Sequence, residues 1–157
     1  MKLDKVDLQI LDFLQENASL TAKEMAAKLN ITATPIYERI RKLERSGIIM
    51  KYVALLDPEE LGYKLTVFMN ICLNTQTLEV RKNFIHAMTS LDEVVEFFHT
   101  SGQYDYIAKV RFPGVKEYRE FLVNKVSIIP NVSDIDSQIV LEEIKHETKV
   151  ILPKLDK

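Results

Sequence analysis

Residues 32–48 read TATPIYERIRKLERSGI, and how their side chains sort around a helix decides the fold of the N-terminal part of the chain. At 100° per residue, Ile36, Ile40 and Leu43 fall in one narrow arc. Thr34, Glu38, Arg41 and Arg45 fall on the opposite arc, with Tyr37 and Lys42 on its flanks. Thr32 stands at the N-cap position, Pro35 in the first turn where its missing N–H costs nothing, and Gly47 at the stop. An apolar seam with hydroxyl and guanidinium groups behind it suits a helix packed on one side and free on the other. Such a helix fits a major groove about 12 Å wide. Arg41 and Arg45 can read guanine or grip phosphate, and Thr32, Thr34 and the helix N-terminus can hold a phosphate. Arg39 lies at the edge of the core arc. It can pair with an acid of the first helix or reach the DNA backbone.

The residues before this stretch supply its support. Asp4 to Asn17 has the periodicity of a helix, with Leu8, Ile10, Leu11, Phe13 and Leu14 as apolar positions, Asp4 as cap and Asp7 in the first turn. Thr21 and Glu24 form a capping box that opens a short Ala-rich helix with Met25, Ala26 and Leu29 inward. Asn30-Ile31-Thr32 is a tight turn into the third helix. Two short helices joined this way, after a longer one, form a helix-turn-helix. The following IIMKYVALL is β-rich and reads as a wing or linker strand.

The chain has 157 residues and a formal net charge of −2, which is unevenly placed. Residues 1–56 carry nine Lys/Arg against seven Asp/Glu, whereas residues 57–157 carry twelve against sixteen. Five bases and one acid lie within 39–51, a sign asymmetry that points to an anionic partner for the N-terminal part. No secretion signal or membrane-length apolar run is visible, so a cytoplasmic protein without membrane attachment is expected. The single cysteine, Cys72, sits in the apolar run FMNICL and reads as a small buried hydrophobe. His86, His99 and His146 share no metal-ligand spacing, His86 reads as a helix-surface residue, and no nucleophile elbow or phosphate loop appears. No metal, cofactor or enzymatic activity is expected.

Asp57-Pro58 and the following EELG mark a turn and a domain boundary, giving expected domains at 1–56 and 57–157. Beyond it the rhythm changes. KLTVFMNICLN reads as a strand, and LEVRKNFIHAMTSL as a helix with Val80, Phe84, Ala87, Met88 and Leu91 on one face. VVEFFHTSG and YDYIAKVRF read as strands, VKEYREFLVNKVSII as a second helix, and VSDIDSQIVLEEI as a last strand. The order βαββαβ is the ferredoxin-like arrangement. KHETKVILPKL (145–155) reads as a short terminal strand exchanged between subunits.

The loop TSGQYDY (100–106) turns at Gly102, where positive φ is wanted. It is a hairpin connection, and it also gathers His99, Ser101, Tyr104 and Asp105. Asp105 can cap its own turn or hold the amine of a small ligand, while backbone N–H groups beside the glycine can take a carboxylate.

The residues Leu3-Asp4, Asp7, Ile10-Leu11, Leu14, Asn17-Ala18, Glu24, Ala26, Leu29, Arg39-Ile40, Leu43-Glu44, Gly47-Ile48, Asp57-Pro58 and Leu61-Gly62 together resemble the Lrp/AsnC (feast/famine) transcription regulators, and Gly102, Asp105, Pro130 and Val132 continue the likeness. The resemblance covers nearly the whole chain. It implies a winged helix-turn-helix DNA-binding domain, with Thr32, Thr34, Pro35, Tyr37, Glu38, Arg39, Arg41, Lys42 and Arg45 at the DNA. It further implies a βαββαβ domain that dimerises through its sheets, with dimers joining into larger rings, often octamers. An amino-acid effector would bind near the Gly102–Asp105 loop, with Ser137, Gln138 and Ile139 of the last strand contributing. His99 and Gln138 lean toward a polar amino acid. Ser19 and Thr32 depart from the Arg and Ser frequent in the family. The partners so implied are double-stranded DNA, an amino acid and further copies of the chain, with DNA binding regulated through changes in assembly.

Overall fold

A computed structural model describes residues 2–154. The chain divides into two compact units, Met1–Leu55 with Lys145–Lys157, and Leu56–Ile144. Residues 145–157, which the expected domain 57–157 includes, group here with the first unit.

In the first unit, α1 (Lys5–Glu16), α2 (Ala22–Leu29) and α3 (Ala33–Arg45) surround one small core. Ile10, Met25, Ile36 and Leu43 are wholly buried there, with Leu11 and Ala26 nearly so and Ile40 partly buried. Both early caps form as reciprocal boxes, Asp4 with Asp7 and Thr21 with Glu24. Asn30 ends α2 in the left-handed region (φ 59), which makes the tight turn into α3, and Gly47 follows α3 at φ 75. Thr32 occupies the N-cap of α3, but its side chain makes no capping hydrogen bond.

The second unit contains β1 (Leu65–Leu73), α4 (Leu78–Thr89), β2 (Val94–His99), β3 (Tyr106–Phe112), α5 (Val115–Phe121) with a π-helical turn over Leu122–Val126, and β4 (Val132–Ile139). The strands form one antiparallel sheet in the order β2-β3-β1-β4, the ferredoxin-like order. One face buries Val67, Met69, Ile71, Tyr106, Ala108 and Val110 against Phe84 and Met88 of α4 and Phe121 of α5. Phe84, Phe97 and Tyr106 make an aromatic cluster with centroids 4.9–5.8 Å apart. The alternate residues, among them Phe68, Asn70, Cys72, Ile107 and Lys109, belong to the opposite face.

Four expectations are corrected. Among the described residues, 48–56 pair with no strand, so the expected wing or linker strand is not formed there. The second helix of the sheet unit does not run on to residue 129 as a single α-helix, because Ser127 N–H bonds the Leu122 carbonyl in the i→i−5 pattern. Residues 145–154 form no strand, and Leu155 lies outside the described residues. Cys72 is only partly buried. It sits on the face opposite the α4/α5 core, and its thiol donates to the Gln103 carbonyl at 3.5 Å.

Candidate functional site

An ion-pair cluster of the first unit lies between α1 and α3. Arg39 Nη1 donates to Asp4 Oδ2 and to Asp7 Oδ1, both at 2.6 Å. Asp7 is 2% exposed, so its carboxylate would be costly without this cation. The Asp7 backbone N–H on Asp4, with the guanidinium as a further donor, holds the Asp4 carboxyl below its ordinary range, and the two carboxylates raise Arg39. Of the two roles open to Arg39, the acid of the first helix is the one observed. Arg39 is therefore set apart from the other basic residues of α3 as an anchor between α1 and α3.

The remaining members of the expected reading set are exposed: Thr32, Thr34, Pro35, Tyr37, Glu38, Arg41, Lys42 and Arg45. They cover the side of α3 away from Ile36 and Leu43. Arg41 donates from Nε and Nη2 to the Tyr37 hydroxyl at 3.0 and 2.7 Å, and its Cζ lies 5.2 Å from the tyrosine ring centroid. The Tyr37 hydroxyl raises the pKa of Arg41. Arg45 Nε donates to the Arg41 carbonyl at 3.3 Å. This Tyr37–Arg41 pair has the i, i+4 spacing that faces side chains together, a signal already present in the sequence.

The second set is less coherent. Gly102 does take positive φ, at 131, in the β2–β3 connection. Thr100 N–H donates to the Asp105 carbonyl at 2.9 Å and Thr100 Oγ1 to the Tyr104 carbonyl at 2.9 Å. Asp105 caps neither its own turn nor a free edge. Its Oδ2 accepts the Leu73 N–H at 2.8 Å, while its own N–H donates to the Ile71 carbonyl at 3.0 Å. The residue thus fastens the loop to the end of β1.

Tyr104 donates from its hydroxyl to Asp136 Oδ2 at 3.4 Å, and Asn70 Nδ2 reaches the same oxygen at 3.3 Å. Partial burial and the neighbouring Asp136 carboxylate raise the phenol pKa. His99 packs instead beside Tyr106, with centroids 5.1 Å apart. Ser137 pairs with Met69 across the ladder and its hydroxyl accepts from Tyr118 at 2.6 Å, so it faces the helices, as does Ile139 opposite Val67. Gln138 pairs with Phe68 and belongs to the other face. The structure therefore brings Tyr104 and Asp105 together with Asn70 and Asp136. It does not bring His99, Ser137 and Ile139 together with Gln138. Ser101 and Gly102 are exposed at the turn.

Sequence reasoning missed Asn70 and Asp136, which sit directly opposite in the β1–β4 register and are visible only once the register is known. It also missed a cleft of about 400 Å³ lined in part by Leu61, Tyr63, Glu93 and Arg111. Among the described residues no group of three or more His, Cys, Asp and Glu is placed to hold a metal ion, and no helix is long and apolar enough to cross a membrane.

Comparison with known proteins agrees with both units. Residues 3–50 match the winged helix-turn-helix DNA-binding family and residues 66–150 match the Lrp/AsnC ligand binding domain. The chain is 36% identical to the DNA-binding transcriptional activator DecR of Escherichia coli over 94% of its own length and 97% of that protein. It is 35% identical to the Leucine-responsive regulatory protein of E. coli, over 96% and 92% of the two chains. The transcriptional regulator NMB0573 of Neisseria meningitidis, solved as an L-Met complex, superposes with a TM-score of 0.91 at 31% identity, covering 96% of this chain and 97% of that one. On this fold, these matched domains and these relatives, the chain belongs to the Lrp/AsnC family of DNA-binding transcriptional regulators.

Proposed function

We propose that the exposed side of α3 reads DNA, with Arg41 and Arg45 at base edges or phosphates and Thr32, Thr34, Pro35, Tyr37, Glu38 and Lys42 around them. One observation carries this reading. Among the described residues the outward cations of α3 have no carboxylate partner, while Arg39, partly buried toward α1, is neutralised by two. Free cations on a helix surface release DNA counterions, and a side chain aimed at a base edge adds discrimination. The unengaged Thr32 hydroxyl at the N-cap of α3 supports phosphate contact there. Residues 1–56 are then the DNA-binding domain and residues 57–157 the ligand-binding and assembly domain.

The ligand is a small-molecule effector, an amino acid, held near the Gly102–Asp105 connection, and the working form is a homodimer that associates further, to an octamer in the fullest version. An effector that binds one assembly state more tightly would shift the spacing of the reading helices. The L-Met complex of the Neisseria relative and the name of the leucine-responsive relative support an amino acid as the class of effector. The protein acts in the cytoplasm as a regulator, not an enzyme. Turnover of an amino acid by the purified chain would overturn that last statement.

A mobility-shift titration on the DNA upstream of its own gene, at about 150 mM salt, tests the reading surface. Arg41→Ala and Arg45→Ala should each weaken binding by about tenfold or more, in line with ~1–3 kcal/mol for a good base contact. Equal binding by wild type and both variants would remove α3 from the interface. A thermal-shift panel of the twenty amino acids at millimolar concentration tests the effector, and a panel without a shift would remove it.

A further inference from the structure

We propose that the outward face of α1 is a docking surface for the C-terminal tail, and that the docked tail is a second tether on the DNA-reading unit. On the helical wheel Ile10, Leu14, Asp7 and Leu11 fill the inner arc, whereas Gln15, Asp12 and Glu16 form a second arc that runs from its edge to the side across. This second arc is where the tail sits. The Val150 N–H donates to Gln15 Oε1 at 2.6 Å, and Gln15 Nε2 donates back to the Val150 carbonyl at 3.2 Å. One side-chain amide thus satisfies both backbone groups of one tail residue, as a neighbouring strand would.

Lys149 flanks this pairing, with its ammonium 2.8 Å from Asp12 and 3.2 Å from Glu16. Those two carboxylates raise its pKa, Asp12 most. Leu152 packs against the core of the helical unit, while Ile151 between them is 96% exposed. The surface therefore fits an extended segment with a cation followed three residues later by an aliphatic side chain, and residues 149–152 of this chain supply that pattern.

The position of the tail gives the contact its consequence. Val140 N–H donates to the Thr66 carbonyl and Glu143 lies 3.6 Å from the Lys109 ammonium, so the chain is part of the sheet unit through Ile144. From Ile144 to Lys149 it spans at most about 17 Å. The reading unit is joined to the sheet unit a first time at Leu55–Leu56, and the docked tail joins it a second time. Exposed ion pairs and one amide pairing are weak individually, so the second join opens and closes where the first cannot. A reading unit held at two points presents α3 in fewer orientations, which favours DNA sites at one helical phase. This consequence rests on the DNA-reading face proposed above, whereas the docking itself does not.

Three chains decide the matter: the full chain, a chain ending at Ile144, and the full chain carrying Lys149→Glu with Leu152→Asp. Amide hydrogen exchange at the C-terminal end of α1 should be about fivefold or more faster in both altered chains. On DNA carrying two binding sites at stepped spacing, the full chain should favour one phase of the ~10.5 bp turn by about tenfold, and the altered chains by less than about threefold. Unchanged exchange in the chain ending at Ile144 overturns the docking surface. Faster exchange with the same phase preference in all three chains overturns the tether. A full chain that binds none of these DNAs is a failure of the reading face, and the exchange measurement still decides the docking. Bismaleimide treatment of a Gln15→Cys, Val150→Cys, Cys72→Ser chain fixes the occupant. A link within one chain supports the tail of the same copy, and a covalent dimer assigns the surface to a neighbour's tail and overturns the tether as stated.

Discussion

The exposed side of α3 and the neighbourhood of the Gly102 turn contrast in how their expected residues assemble. On α3 all expected residues except Arg39 lie on one continuous surface. Around the turn, the expected residues divide between the two faces of the sheet. The difference is geometric. A helix repeats every 3.6 residues, so a few positions fix which side each residue occupies. In a strand each successive residue changes face, so the run Ser137-Gln138-Ile139 cannot line one pocket from a single face. A contiguous stretch of functional residues is therefore coherent on a helix only when spaced by three or four, and on a strand only when spaced by two.

The sharpest way to break this contrast is Arg39→Ala. If Arg39 is an anchor, its removal leaves the buried Asp7 carboxylate unpaired, and about 3 kcal/mol of stability is lost from the helical unit. Chemical denaturation followed by circular dichroism measures it. A normal unfolding midpoint together with weakened DNA binding would return Arg39 to the reading surface.

Asp105→Ala comes next. It strands the Leu73 N–H, which costs about 1–2 kcal/mol. It should also abolish any amino-acid response while DNA affinity in mobility shifts stays within about twofold. An intact response would leave Asp105 as a fastening of the loop alone.

Tyr118→Phe tests the helix-facing side of β4. Losing the bond to Ser137 should cost about 1 kcal/mol with no change in the thermal shift given by amino acids. A changed shift would place Ser137 at the ligand after all.

The smallest effect is on pH. Asp4 has a folded pKa below its ordinary value, so its contribution is fully present above about pH 4 and fades as pH falls through the lower folded value. Melting temperatures between pH 6 and 3 should therefore fall less steeply in Asp4→Asn than in the parent chain.

Much of the fold was legible because its signals are local. The Thr21–Glu24 box, the Asp4 cap, Pro35 in the first turn and Gly47 after α3 each concern residues within a turn of one another. The βαββαβ order followed from switches between periods of 2 and 3.6, and the sheet order β2-β3-β1-β4 is its usual outcome. What the sequence hid depends on residues far apart. Asn70 meets Asp136 through register, and Asp105 reaches Leu73 across the ladder. Residues 48–56 have strand composition but no partner strand among the described residues, so composition alone named an element that needs a neighbour. Within one chain the β-rich KVIL of the tail forms no strand and seats on a helix whose Gln15 stands in for one.

The pairing of Tyr37 with Arg41 limits how that arginine meets anything in solution. Nε and one Nη2 proton already point at a phenol oxygen, which leaves the two Nη1 protons and the second Nη2 proton at the far end of the group. The guanidinium is thus presented tip first, as a two-pronged fork already oriented along one line, and less rotational freedom remains to be lost when it binds. A partner that needs the side-on edge must first displace the tyrosine. Tyr37 thereby acts as a filter on the direction of approach.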